Sequence, residues 1–298
     1  MTASQIACVD RDGKPQGGSA TDIVPWWSFT KTLVAASALL LAEQGRLDLD
    51  APFAGRPYTL RQLLQNRAGV GDYGPLPEYQ AAVARGDTPW TDHELLARVP
   101  PDKLLFSPGT GWSYSNVGYL LARRAIERAY GAGMRDVLHD LILGPLDLCS
   151  SRLAETPDDM LLTVFAGGHG YHPGWVYHGL VVGPAIEAAL ALHGLLEGDL
   201  LRPASRAAIL ACHPTGGPLA GRPWVTRGYG LGLMMGTMRS AGLPRPVQVI
   251  GHSANGPGSV GAVYHAPHGI GCRTVAVFTA GSDEAIAEDE ALRYLAAP

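Results

Sequence analysis

Ser28-Phe-Thr-Lys31-Thr-Leu-Val-Ala-Ala-Ser-Ala-Leu-Leu-Leu41-Ala-Glu-Gln44, closed by Gly45, is the stretch from which this chain is best read. Its pattern is helical, yet Leu33, Val34, Ala36, Leu39, Leu40 and Leu41 lie nearly all round the axis. A helix without a polar face belongs in the interior, so this one is predicted to run through the middle of the molecule. Gly45 is expected to end it. Chemistry is confined to the first turn, where Ser28 and Lys31 share one face.

Working outward, Gln5 to Val9 reads as a short strand followed by a turn at Asp10–Lys14. From Ala51 to about Thr163 short helical runs alternate with Gly/Pro loops, and no strand is expected. Thr59 opens one helix, Thr91 caps Asp92–Arg98 with Glu94 at the third position, and Asn116–Tyr130 ends at Gly131. Pro184–Glu197 and Pro203–Cys212 follow as helical stretches. Tyr229–Met235, Val247–His252, Gly258–His265 and Arg273–Ala280 then favour strands of an antiparallel sheet, and Asp283–Ala297 a last helix. The expected architecture is α+β: one domain spanning 1–298, with an α/β lobe at about 1–50 and 164–298. A helical lobe at about 51–163 is inserted in it, and the first strand pairs with the C-terminal sheet.

Composition excludes several classes. Hydrophobic residues at 46% and charged residues at 17% describe a globular chain, and a net charge of -4 gives no reason for nucleic acid or an anionic membrane as partner. Cys8, Cys149, Cys212 and Cys272 lie far apart with no C-x-x-C pair, and are expected as free thiols in a reducing compartment. Met1–Ile6 lacks the basic and apolar segments of a signal peptide, so a cytoplasmic protein is expected, a removed leader being left open. Of 23 basic residues only Lys14, Lys31 and Lys103 are lysines. A lysine in the buried helix is there for an amine that can lose its proton, which guanidinium does not.

A serine hydroxyl needs a base, and a buried lysine with a lowered pKa can serve. Ser28-x-x-Lys31 taken alone fits a solvated helix start as well. Tyr114-Ser-Asn116 sits on a Pro/Gly loop running into a helix, where Tyr114 can be acidified by a neighbouring cation and share a proton with Ser28 and Lys31. A turn tyrosine with Asn116 as helix cap is the plainer alternative. His252-Ser253-Ala254-Asn255 ends an apolar strand that could pair with substrate, or is simply a turn histidine.

Together and in this order, the three elements resemble the class C β-lactamase and D,D-peptidase superfamily of serine hydrolases, with its S-x-x-K, Y-x-N and [K/H]-[S/T]-G motifs. The resemblance extends to Gly45-Arg-Leu-Asp-Leu-Asp50, Tyr58-Thr-Leu-Arg-Gln-Leu-Leu64 with Ala68-Gly69-Val70, Phe106–Tyr119 and Gly144-Pro-Leu-Asp-Leu148. It continues through Gly194–Leu201, Tyr229-Gly-Leu-Gly232 and the final helix. It implies a β-lactamase/transpeptidase-like fold and an acyl-enzyme at Ser28, with Lys31 and Tyr114 moving the proton and Tyr114 as deacylation base. By the same resemblance Asn116 orients substrate, and the backbone N–H groups of Ser28 and Asn255 form the oxyanion hole. His252 where the family most often has lysine, and Ala254 for its glycine, shift the expected substrate from β-lactams and D-peptides toward esters and amides. The N-terminal helix usual in the family is expected to be missing. Ser253, Ala254, Trp175, Tyr171 and His172 are expected to line the substrate pocket. The expected partner is a small ester, amide or β-lactam, with no cofactor and no metal, and no oligomeric state is implied.

Three rival readings compete with this one. Gly251-His-Ser253 looks like a nucleophile elbow and Gly167-Gly-His-Gly170 like an oxyanion loop, but too little chain follows for the acid and histidine in order. His169, His172 and His178 could hold zinc, although their spacing matches no standard set and the Tyr171, Trp175, Tyr177 surroundings suit a pocket wall. A protein that acylates at Ser28 without turnover, as a sensor does, stands outside catalysis.

Overall fold

The protein is described by a computed structural model covering residues 3–16, 21–241, 243–269 and 271–297. Its strands are β1 (Gln5–Val9), β2 (Pro15–Gln16), β3 (Ile23–Pro25), β4 (Arg152–Ala154), β5 (Leu180–Pro184) and β6 (His213–Gly216), then β7 (Trp224–Tyr229), β8 (Met234–Met238), β9 (Val247–Gly256), β10 (Ser259–His265) and β11 (Thr274–Ala280). Eight of them form one sheet in the order β2-β1-β11-β10-β9-β8-β7-β6, each neighbouring pair antiparallel. The first strand thus pairs with the last, as expected.

Side chains alternate across this sheet because successive residues of a strand point to opposite faces. In β11, Ala276 and Phe278 join the core shared with the central helix, while Val275 and Val277 face the C-terminal helix. The helices are α1 (Thr30–Glu43), α2 (Leu60–Leu64), α3 (Pro77–Arg85), α4 (Asp92–Arg98), α5 (Asn116–Tyr130), α6 (Met134–Leu138), α7 (Pro157–Leu161), α8 (Ala185–Leu196), α9 (Pro203–Ile209) and α10 (Glu284–Ala296). Helix α8 packs on one face of the sheet and α10 on the other.

Helix α1 is buried from Thr30 to Leu41, the consequence of its apolar circumference. Its three buried hydroxyls are satisfied: Thr32 donates to the Gly232 carbonyl at 2.6 Å, Ser37 to the Leu33 carbonyl at 2.9 Å, and Thr30 accepts the Val181 N–H at 3.1 Å. The α-helix starts at Thr30, not Ser28, because a 3-10 turn over Trp27–Phe29 precedes it. Gly45 (φ +70°) ends it by sending the N–H groups of Gly45 and Arg46 back to Ala42 and Leu41.

Three expectations need correction. Residues 152–154 form β4, which joins β5 and β3 in a second, three-stranded sheet inside the stretch read as strandless. Tyr229–Met235 is not one strand: β7 and β8 meet there through a turn at Gly232 (φ +67°), where a Cβ would lie 2.6 Å from the Lys31 carbonyl oxygen. Cys8 and Cys272 are joined in a disulfide, with Cα atoms 5.6 Å apart, because pairing of β1 with β11 brings the two segments together. The expectation of a reducing compartment loses that support. Cys149 and Cys212 are free and exposed. No helix is long and apolar enough to cross a membrane, among the described residues.

Candidate active site

The site is built where α1 begins. Trp27 has φ +41°, a left-handed backbone that a bulky side chain adopts only under constraint. Its indole supplies the constraint: Nε1 donates to Ser259 Oγ at 2.9 Å, and the ring meets Tyr171 edge-on with centroids 5.7 Å apart. A Cβ on Gly256 would sit 2.3 Å from the indole, so only glycine fits there. The turn leaves Ser28 half-buried at the cleft.

Lys31 Nζ lies 3.2 Å from Ser28 Oγ and 3.2 Å from His178 Nε2. The lysine is fully buried, its Nζ 4.9 and 5.6 Å from the ring centroids of Tyr114 and Tyr119. Burial pushes the amine well below its ordinary value, the charge of Asp72 opposing the shift. A lysine whose proton is held less tightly in this way can, once neutral, accept the serine proton.

Tyr114 and Asn116 are aimed by a grip between two loops. Asn66 accepts Ser115 N–H at its side-chain oxygen (3.0 Å) and Ser113 N–H at its carbonyl (3.0 Å), while Ser115 Oγ donates to the Gly71 carbonyl at 2.7 Å. Ser115, not Asn116, caps α5. Asp72 accepts from the Asn116 backbone N–H at 2.8 Å and from Nδ2 at 3.1 Å, which fixes the amide with its donor end occupied. Burial raises the Asp72 pKa against the pull of that N–H and of Lys31.

The Tyr114 phenol interacts with the Ser28 hydroxyl, yet burial first and Tyr229 second push it well above its ordinary value. The expectation of an acidified phenol is corrected. The same burial that shields Tyr114 lowers the pKa of the lysine that was to supply the positive charge. A phenol pushed upward holds its proton more tightly, which favours a proton relay over a phenolate base.

His252 is 2% exposed, donates from Nδ1 to the Ser253 carbonyl, and accepts the Tyr229 hydroxyl at Nε2 (3.1 Å). Burial above all pushes it down to about 3, a charge on Lys31 adding to the shift whenever that amine is protonated. It is neutral, with both nitrogens engaged. Ser253 points to the opposite face, where its hydroxyl meets Tyr264 at 2.6 Å, Arg222 at 3.1 Å and the fully buried Glu288. It does not border the cavity beside Ser28, and its engaged hydroxyl does not suit an elbow nucleophile. Ala254 is buried in the core rather than crowding the cleft. Asn255 is exposed and borders the same cavity as Ser28.

That cavity measures about 130 Å³, and aromatic side chains (Trp27, Tyr73, Tyr79, Tyr171) make much of its wall, with Asn116, His178 and the 255–257 backbone completing it. A family model described as Beta-lactamase matches residues 7–297. The chain belongs to the beta-lactamase family. A D-stereospecific amidohydrolase structure from Streptomyces sp. superposes with TM-score 0.76 at 25% identity, over 96% of this chain and 93% of that one. A D-aminopeptidase from Cereibacter sphaeroides is 33% identical over 34% of this chain, and a lovastatin esterase from Penicillium rubens 25% identical over 47%. Those two matches span only 19% and 42% of the relatives' own lengths.

Within this beta-lactamase-family cleft the structure redistributes several expected roles. Of the predicted wall residues Tyr171 borders the cavity, whereas Trp175 and His172 are not among its lining residues. Trp175 donates to the Asp87 carbonyl at 3.3 Å, and His172 Nδ1 accepts Gly174 N–H at 3.0 Å. The three histidines of the zinc reading go separate ways: His169 to the Thr163 carbonyl, His172 to Gly174, His178 to Lys31. Among the described residues no group of three or more His, Cys, Asp or Glu is arranged to hold a metal. Sequence reasoning missed Asp72, Tyr73, Tyr79 and the bond from His178 to Lys31. For Asp72 a signal existed, since it follows the quoted Ala68-Gly69-Val70 by two residues.

Proposed function

We propose that this beta-lactamase-family protein is a serine hydrolase of the class C, S-x-x-K type that forms an acyl-enzyme at Ser28 and hydrolyses small, uncharged esters and amides. One observation carries the reading: a fully buried Lys31, its pKa pushed well below the ordinary lysine value, stands 3.2 Å from Ser28 Oγ beside a cavity of about 130 Å³. In acylation Ser28 Oγ bonds to the carbonyl carbon as its proton passes to Lys31. The oxyanion is received by the backbone N–H groups of Ser28 and Asn255. On collapse the bond to the leaving group breaks, and the proton returns to that group from Lys31 through the Tyr114 hydroxyl. Water then repeats the sequence on the acyl-enzyme, Lys31 again taking the proton.

The cavity supports neutral substrates. Among the described residues its wall bears no Lys, Arg, Asp or Glu, and His252, which stands where a lysine is usual, is neutral and outside it. A β-lactam carboxylate or an amino-acid ammonium would find no countercharge there. Its small volume, about 130 Å³, favours a short acyl chain.

The test is a panel of nitrophenyl esters of increasing chain length, a chromogenic cephalosporin and D-amino acid amides, with mass spectrometry of the intact protein. Steady turnover of short esters and an acyl adduct on Ser28 are expected. Undiminished turnover in Ser28→Ala would overturn the reading. A burst equal to the enzyme concentration with nothing after it would mean an acyl-trapping sensor.

A further inference from the structure

A neutral lysine amine has one lone pair and two N–H bonds, and it is a base toward Ser28 only when the lone pair faces the serine hydroxyl. Rotation about Cε–Nζ sweeps that lone pair through every direction, so something must hold the amine. Two neighbours of Nζ are the ring faces of Tyr114 and Tyr119. Among the described residues its hydrogen-bonding neighbours are Ser28 Oγ and His178 Nε2, each at 3.2 Å.

We propose that His178 is a positioning residue for the general base: as the Nδ1–H tautomer it accepts one Lys31 N–H at Nε2 and leaves the amine's lone pair facing Ser28. This rests on the reading of Ser28 as the acylated nucleophile. The opposite tautomer would donate into the lone pair that the serine proton needs. A charged imidazole would have no acceptor at all. The surroundings keep the ring uncharged. His178 is 2% exposed, and burial is the largest push holding it well below its ordinary value, with His252 and Arg123 adding smaller pushes the same way and Lys31 another whenever it is protonated. Asp72 faces Lys31 from the helical lobe. No proton moves to His178 in the cycle: when Lys31 takes the serine proton, the new N–H forms on the Ser28 side and the bond to His178 persists.

A purely structural histidine would be held elsewhere. His178 Nδ1 is buried and acts on the Trp27 backbone as a weak donor that falls short of full hydrogen-bond geometry, a contact that favours the proton on Nδ1. The well-formed polar contact of the ring is the one from Nε2 to Lys31.

The experiment measures the rate of Ser28 labelling by a fluorophosphonate and the kcat and KM for a short nitrophenyl ester, in wild type, His178→Leu and His178→Gln. Wild type serves as the gate: failure to label Ser28 there would sink the hydrolase reading itself. With wild type active, His178→Leu should label about 100-fold more slowly, the scale of a misplaced catalytic group. Its kcat should fall while KM stays within about twofold, as for a group acting in the transition state. His178→Gln, whose amide oxygen still accepts, should recover most of the rate. A folded His178→Leu that labels at the wild-type rate overturns the proposal. If that variant does not fold, ¹⁵N spectra of histidine-labelled wild type settle the tautomer: a protonated Nδ1 with bare Nε2 is expected, and the reverse overturns it.

Discussion

Acid should weaken this protein through His252, and the size of the effect follows from its burial. The ring titrates near 6.5 when unfolded and is pushed down to about 3 in the fold. Above pH 6.5 both states are neutral and the group contributes no pH dependence. Below it the unfolded chain binds a proton that the folded chain refuses, so stability falls with pH until the folded value is reached. At 1.36 kcal/mol per pH unit the loss is about 2 kcal/mol at pH 5 and about 3 kcal/mol at pH 4. That is a large share of the 5–15 kcal/mol a domain typically has (order of magnitude). The perturbation is His252→Gln, whose amide oxygen can keep accepting the Tyr229 hydroxyl. Urea unfolding of both proteins at pH 7.5, 6, 5 and 4 gives the difference directly, and the acid sensitivity of the other histidines cancels in it. Wild type should lose about 3 kcal/mol more than the variant between the ends of that range. Parallel curves would refute the neutral His252, and with it the case against anionic substrates.

Lys31→Met should abolish acylation yet stabilise the fold. The folded amine is held well below 10.5, so wild type carries a penalty at neutral pH that is relieved as pH rises toward 10.5; thermal melts should show wild type gaining on the variant over that range. A variant less stable than wild type at pH 7 would contradict the buried, discharged amine. Reducing the Cys8–Cys272 bridge, which closes 264 residues, should cost up to about 5 kcal/mol by loop entropy. Melting with and without a reductant, beside Cys8→Ser, checks this, and an unchanged Tm would count against the bridge.

Much of the fold was legible because its signals are local. Thr59 with Gln62 and Thr91 with Glu94 form capping boxes, and Asn116–Tyr130 ends at a left-handed Gly131. The strands β1, β10 and β11 also lie where their β-favouring runs place them. The second sheet was not legible. Its strands are three to five residues long, and the five residues of β5 are all buried, so no alternation marks them.

By itself the sequence determined which groups could do chemistry: Ser28 and Lys31 one turn apart at the head of a helix whose apolar circumference obliges burial. Tertiary structure decided how those groups behave. Whether Lys31 is discharged, Tyr114 stays protonated and His252 stays neutral depends on desolvation by segments distant in the chain. His178 reaches Lys31 across 147 residues, and Asp72 holds Asn116 across 44. Adjacent residues His252 and Ser253 were divided by the pleat of β9 between the catalytic face and the buried Glu288 on α10. Residue types set the available reactions, but only packing sets proton affinity and direction, because both depend on what replaces water around each side chain.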